Sequence, residues 1–456
     1  MSRPKSAHRC GSCGSVTARW AGRCPTCEEW NTLAEVPLEA AVAAPVLRPV
    51  PGAGLEAGPC RLGDVDLAAA APHPTGIEEL DRVLGGGLVP GSVTLLGGEP
   101  GVGKSTLLLQ VLRSVSSGGE PVLLVSAEES PRQVRLRAER LGPLPESLLV
   151  MDSTDVSAVA GAVADSGARL VVVDSIQAVR DPAISGAAGS VSQVRACAEV
   201  LVQLAKSGDV PVVVVGHVTK DGSLAGPRLL EHVVDTVLTV EGDRHHALRT
   251  VRAVKHRFGA TGELGLFTMS DAGLAAVTDP YRLLLGDRRP GEPGSTVLPA
   301  IEGQRALLVE VQALVADPAG PAVPARRSAQ GLDTGRLALL LAVLDKRSDL
   351  GLARTDVYTS VVGGIRVAEP AADLAVVLAV ASAARGLPLP ADLVAFGEVG
   401  LGGEVRQVPH APRRLAEAAR LGFRYALVPG TCPDGPPGMK LLRVGEVAQA
   451  VAVLSA

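Results

Sequence analysis

The sequence predicts an α/β fold built on a mostly parallel sheet. A small cysteine module precedes it, and a third region mixing strands and helices follows. Three observations predict this. Short β-branched runs at 93–96, 122–125, 170–173 and 212–215 alternate with helical stretches, as strands joined by crossover helices do. The first run leads into Gly98-Glu99-Pro100-Gly101-Val102-Gly103-Lys104-Ser105-Thr106, which has the form G-x-x-x-x-G-K-[ST]. Two C-x-x-C pairs stand near the N-terminus, separated by ten residues.

Composition bounds what the chain can be. A length of 456 residues suggests about two to four domains. The apolar fraction of 46% is ample for real cores. No apolar run reaches transmembrane length, and the N-terminus lacks the apolar core of a signal peptide. A cytoplasmic protein without a membrane partner is the expectation. The net charge of −4 excludes a chain-wide polyelectrolyte binder, so any nucleic-acid site must be a local basic patch. Aromatics at 2% exclude a broad base-stacking platform.

Residues 1–35 form the cysteine module. Residues 36–72 are rich in Ala, Pro and Val without periodicity and are expected to be a linker. The α/β core covers 73–275. Its later runs at 236–240, 249–254 and 264–268 follow closely, as antiparallel edge strands would. The third region, 276–456, shows a strand at 306–315 and a Pro/Ala/Arg loop at 316–330. An alanine-rich helix at 371–385, a helix at 412–421 and a strand at 425–428 complete it. No fixed-period repeat is present, which disfavours a solenoid.

The glycine-rich loop has the setting its chemistry needs. A buried strand precedes it, and a helix after it places a positive N-terminal end under a triphosphate. Glycines at 98, 101 and 103 let backbone N–H groups face phosphates. Lys104 supplies charge for the β- and γ-phosphates of ATP, and Ser105 can ligate Mg²⁺. The run 170–173 ends in Asp174, placed to hold the Mg²⁺ water shell beside Ser105. Hydrolysis also needs a group that activates water. Glu128 and Glu129 follow the run 122–125, and Glu128 is the candidate base with Glu129 the runner-up. The alternative is that both cap the helix opening at Ser130-Pro131. His217 ends the run 212–215 and is a candidate γ-phosphate sensor, or a structural histidine.

Lys255-His256-Arg257-Phe258-Gly259 closes a later strand. If that strand end faces a neighbouring subunit, Lys255 and Arg257 can act as fingers on its γ-phosphate. A solvated turn is the other reading, and charge alone prefers neither.

Cys10, Cys13, Cys24 and Cys27 supply four thiolates, the donor set Zn²⁺ prefers. Cys60, Cys197 and Cys432 stand apart, so this is no disulfide framework. The module is too short for a core of its own, and Trp20 and Trp30 are expected to pack it. Recognition of DNA or a partner and a purely structural role both remain open.

The order of these parts resembles the bacterial RadA (Sms) family of DNA repair and recombination proteins. The cysteine module, Gly98 to Thr106, Asp174 and the Lys255–Gly259 motif match that family in order and approximate spacing. So does Thr75-Gly76-Ile77-Glu78-Glu79-Leu80-Asp81 with Gly85-Gly86-Gly87-Leu88. His256 departs from the family's usual Asn. The resemblance implies a RecA-like ATPase core, an N-terminal C4 zinc finger and a C-terminal α+β Lon-protease-like domain. It implies a ring-shaped homohexamer translocating on single-stranded DNA and promoting branch migration of branched recombination intermediates. Similarity to replicative helicases of the DnaB type and a recombinase partner are implied too. Lys255 and Arg257 would then couple subunits or touch DNA. In RecA-like proteins a loop after the sensor lines the DNA channel, which makes Lys220 and Arg228 candidate phosphate contacts. The Gly/Ala/Ser-rich stretch 184–195 is the candidate second channel loop.

The Lon fold uses a Ser–Lys dyad with its serine in a P-S-A-G element. The corresponding stretch here is Pro370-Ala371-Ala372-Asp373, and 406–414 holds no lysine. Without a hydroxyl no acyl-enzyme forms, so no peptidase activity is expected. The domain is expected to assemble the ring or to offer a DNA surface through Arg406, Arg413 and Arg414. The leading expectation is an ATP-driven DNA motor. Its rivals are a regulatory RecA-fold ATPase without motor activity and a filament-forming recombinase.

Overall fold

The computed structural model describes residues 6–37 apart from 14, 18 and 28, then 61–64, 67, 70–216, 229–242, 247–317 and 324–455. His217, Lys220 and Arg228 lie outside the described residues. The chain divides into two compact units, Met1–Ala276 and Val277–Ala456.

The first strands build a small ribbon. β1 (Ser6–Cys10) pairs antiparallel with both β2 (Val16–Thr17) and β3 (Leu33–Pro37). Its buried core consists of Cys10, Cys24 and Leu33, with Cys13 and Cys27 packed against them. Trp20 and Trp30 are not part of that core. They are 60% and 71% exposed, which corrects the packing role expected of them. A ribbon this short has no interior wide enough for an indole.

The large sheet follows in chain order. The short helix α1 (Glu78–Val83) leads to β4 (Val93–Gly98), α2 (Lys104–Ser116) and β5 (Val122–Ser126). Next come α3 (Pro131–Glu139), β6 (Leu148–Asp152), α4 (Val156–Ser166) and β7 (Leu170–Asp174). Then follow α5 (Val191–Gly208), β8 (Val212–Val215) and α6 (Leu229–Val233). β9 (Thr236–Glu241), β10 (Leu248–His256), β11 (Leu264–Ser270) and β12 (Gly273–Ala276) close the unit.

The sheet order is β12-β11-β10-β9-β4-β8-β7-β5-β6. From β9 to β6 every neighbouring pair is parallel, and β10 to β12 add antiparallel strands at one side. β9 was expected among the antiparallel strands. It is parallel to β4 instead, because the chain passes through α6 before re-entering the sheet beside β4.

Period-two alternation splits each central strand between two cores. Leu96, Leu124, Val172 and Val213 face one side, with α1, α2 and α3. Leu95, Val125, Val173 and Val214 face the other, with α4, α5 and α6. The stretch 184–195 divides at its middle. Ser190 caps α5, so 191–195 is helix, and Arg195 pairs with Glu199 at 2.9 Å. Gln193, 1% exposed, holds the remaining loop through Asp181 N at 2.8 Å and Ile184 O at 2.7 Å.

The second unit begins with α7 (Pro280–Leu285), β13 (Ser295–Glu302), β14 (Arg305–Ala316) and β15 (Arg327–Gln330). The stretch 316–330 is therefore not all loop: its end pairs parallel to β16 (Asp356–Val361), after α8 (Thr334–Ser348). α9 (Asp373–Arg385), β17 (Leu393–Ala395), β18 (Glu398–Val399), β19 (Val405–Arg406) and α10 (Ala411–Arg420) come next. β20 (Tyr425–Pro429), β21 (Lys440–Val444) and α11 (Val447–Ala452) complete it. The seven-stranded sheet runs β15-β16-β14-β13-β17-β20-β21. Every residue of α9 from Asp373 to Ser382 is buried, as an alanine-rich helix apolar on all faces should be.

Candidate active site and metal centre

The P-loop rises from the carboxyl end of β4, the central strand position where ligands of open α/β sheets bind. Gly98 has φ +151°, and a Cβ there would stand 2.6 Å from the Val240 carbonyl oxygen. Gly103 has φ +115° and caps α2, whose first residue is Lys104. These two positions need glycine so that the loop can curl tightly against β9 and turn into the helix.

Lys104 is 5% exposed. Its ammonium donates to Gly98 O at 2.8 Å and Glu99 O at 3.0 Å. Burial lowers its pKa, while the charges of Asp174 and Glu128 pull it back up. That dependence places both carboxylates in the field of the lysine. A buried cation resting on carbonyls of its own loop is ready to exchange them for an anion.

β5 and β7 are neighbours in register, with Ser126 opposite Asp174. The strand ends are tied by Ala127 N donating to Asp174 O at 2.9 Å. Beyond them the two candidate bases separate. Ser175, fully buried, donates its hydroxyl to the Glu128 carboxylate. Glu129 instead pairs with Arg137 on α3 at 2.7 Å. Neither glutamate caps α3. That role falls to Ser130, in a capping box with Gln133. Ser105 is the second residue of α2, and Gly216 N at the end of β8 donates to Leu96 O at 3.0 Å.

Two residues were missed in the sequence. Arg249, 6% exposed on β10, donates to Val102 O of the P-loop at 3.2 Å. β10 carries Arg249, Arg252 and Lys255, so nothing in the sequence set Arg249 apart. Ser175 was the other, visible only as a hydroxyl directly after Asp174.

Lys255 and Arg257 are not brought to this pocket. Their strand β10 runs antiparallel to β9, with His256 opposite Thr236, and Thr236 lies opposite Thr94 at the start of β4. Lys255 donates to Glu231 O at 2.5 Å and Val234 O at 2.8 Å. Burial lowers its pKa, and neighbouring Arg257 lowers it further. Arg257, half exposed, pairs with Asp235 at 2.9 Å, and Asp235 also accepts from Val93 N at 3.0 Å. Val93 and Gly98 are five residues apart on β4, about 17 Å. His256 takes a structural place, with Nδ1 3.1 Å from Thr236 Oγ1 and Nε2 3.0 Å from Leu84 O. Phe258 is exposed.

The four ribbon thiols form one cluster, with all Sγ atoms within 4.8 Å of one another. Cys10–Cys27 and Cys13–Cys24 are 3.6 and 3.5 Å apart. Sulfurs around tetrahedral zinc stand about 3.8 Å apart, so the cage fits that ion. Burial raises the Cys10 thiol, but the Thr32 hydroxyl and N–H groups of Cys13 and Ser12 outweigh it and bring it down to about 6. Burial pushes its neighbour Cys13 up to about 12.

In the second unit, Ala371 and Ala372 are buried and present no hydroxyl. Asp373, the next residue, is held by both Arg336 Nε at 3.0 Å and Arg336 Nη2, and accepts from Val399 N at 3.0 Å. Arg414 is 1% exposed and cannot belong to a DNA surface, which corrects the expectation for it. It is consumed by Glu369, by Pro299 O at 2.6 Å and by the Phe396 ring 5.7 Å away. Arg406 and Arg413 remain exposed, pairing with Glu404 and Gln304.

Two family models match the chain: an AAA domain over residues 57–223 and a rubredoxin metal binding domain over residues 8–35. A protein of Mycobacterium tuberculosis named DNA repair protein RadA is 47% identical over 99% of this chain and 93% of its own. The DNA repair protein RadA of Bacillus subtilis is 45% identical over 99% of each chain. Among solved structures, the RadB recombinase is 28% identical over 44% of this chain and 98% of its own, with a TM-score of 0.36.

Proposed function

The chain belongs to the RadA family of DNA repair proteins, and from that premise we propose that it is an ATP-driven ring motor on single-stranded DNA. In this reading the ring is a homohexamer that promotes branch migration of recombination intermediates, working with a recombinase. The residues from Gly98 to Thr106 cradle the triphosphate. Lys104 neutralises its β- and γ-phosphates, and Ser105 and Asp174 would hold Mg²⁺, which supplies charge to the transferring phosphoryl group. Glu128 accepts the proton of the attacking water. The Ser175 hydroxyl fixes which way that carboxylate points, and the Glu129–Arg137 pair removes the rival. His217, Lys220 and Arg228 keep their assigned roles as sensor and DNA contacts. The second unit is a Lon-like scaffold without peptidase activity, since its nucleophile position holds no hydroxyl.

The placement of Lys255 and Arg257 carries the assembly part of this reading. Their anchors lie at the start of β4, about 17 Å along the strand from Gly98. They cannot reach a phosphate held by their own P-loop. Lys255 rests on two carbonyls and Arg257 on Asp235, and a half-exposed guanidinium with five donors can take a further anion. We assign that anion as the γ-phosphate of the next subunit.

Subunit mixing tests the assignment. Lys104→Ala chains and chains carrying both Lys255→Ala and Arg257→Ala should each lack DNA-stimulated ATPase activity. Mixed together, they should regain a fraction, because some interfaces then pair an intact P-loop with intact fingers. No recovery in assembled mixtures overturns the trans assignment. Wild-type hydrolysis indifferent to single-stranded DNA overturns the motor and favours a regulatory ATPase.

A further inference from the structure

We propose that the zinc ribbon holds an unpaired nucleobase of single-stranded DNA against Trp20 and Trp30. The proposal rests on the reading of this chain as acting on DNA. These are the chain's only tryptophans, and both lie in one module of about thirty residues. Both are exposed. They adjoin the same glycine. A Cβ on Gly22 would stand 3.8 Å from Trp30 Cζ3 and 3.9 Å from Trp20 Cη2. The backbone beneath is pinned: Asn31 N donates to Gly22 O at 2.8 Å, and Arg23 bridges Trp30. The thiol cage stands directly beside this corner, with Cys24 following Arg23 and Cys27 three residues before Trp30. Metal binding therefore fixes the two indoles relative to each other.

The surroundings select the occupant. Arg19 and Arg23 are exposed next to Trp20 and Gly22 in the chain, and suit a phosphate backbone. Among the ribbon's described side chains Cys10, Cys24 and Leu33 are buried, and the exposed apolar ones besides the indoles are the small Ala21 and Ala34. Two indoles and two alanines are too small for a protein interface, which needs about 800 Å² on each partner. They match the face of one or two bases. Elsewhere among the described residues the only strongly exposed aromatic is Phe258. A low overall aromatic content thus hides one local stacking platform.

The indoles report on themselves. Tryptophan emission of the zinc-loaded full chain should be quenched, saturably, by a single-stranded oligonucleotide. An abasic strand of equal length, which keeps the phosphates and lacks the bases, should quench little. Trp20→Ala and Trp30→Ala should each weaken single-strand binding about fivefold or more, and the phenylalanine variants should retain most of it. Unchanged emission with DNA-stimulated ATPase intact overturns the stacking site, spares the motor and leaves the indole pair to a protein. Equal quenching by the abasic strand also overturns it. Quenching without ATPase stimulation supports the stacking site and counts against the motor. Absence of both overturns both.

Discussion

The two compact units treat buried charge in opposite ways. In the first, a lysine and four thiols converge on loop carbonyls and on one another rather than on opposite charges. Lys104 rests on two loop carbonyls, and four thiols surround an ion-sized space. In the second, the comparable groups satisfy each other. Asp373 is claimed by Arg336 and Val399 N, Arg414 by Glu369, and Glu310 by Ser295 at 2.5 Å. The contrast is sharpest at Asp373, a buried carboxylate locked to arginine.

Metal removal tests the open side hardest. Zinc supplies about 10–16 kcal/mol to modules of this kind, far more than a core of three buried residues can. Chelation should unfold residues 6–37 and open that segment to rapid proteolysis, while the thermal unfolding of the second unit stays in place. A ribbon that stays protease-resistant after complete zinc loss breaks the comparison.

The next effect is catalytic. Glu128→Gln should lower the turnover number for ATP about 10²–10⁴-fold with nucleotide binding retained. Glu129→Gln, by contrast, should change turnover less than about threefold, because its carboxylate is turned to Arg137. Similar losses in the two variants, read from steady-state ATPase assays, would erase the distinction that Ser175 draws.

The closed side predicts a smaller, purely structural loss. Arg336→Ala should destabilise the second unit by about 3 kcal/mol, the low end for a buried pair because Arg336 itself is about a third exposed. Burial already raises the Asp373 pKa, and removing Arg336 raises it further. A carboxyl whose folded pKa lies above its unfolded value loses stability as pH rises through that range. The variant's deficit in denaturant unfolding should therefore grow from acid to neutral pH. A deficit that shrinks on that path would mean the pair is not what holds Asp373.

Legibility in the sequence followed the range of the interactions. The strand–loop–helix setting of the P-loop, the clustering of the four thiols and the place of Asp174 at a strand end were legible because each is a local spacing. The split between Glu128 and Glu129 was not, since it depends on Ser175, forty-seven residues away from Glu128, and on Arg137 one helix on. Arg414 read as a surface cation because its partners Glu369 and Pro299 lie 45 and 115 residues distant. The direction of β9 was misread for a similar reason. Whether a strand enters a sheet parallel or antiparallel is decided by the path before it, not by its own residues. The tryptophans failed differently: average burial of indoles does not apply to a module without an interior.

The sheet carries its P-loop at one rim and Lys255 with Arg257 at the other. Under the trans assignment a solitary chain is an unfinished catalyst whatever its nucleotide supply. Turnover per chain should then climb with protein concentration until assembly is complete, and dilution alone should switch it off. Abundance becomes a control on activity, set by the distance between the two ends of β4.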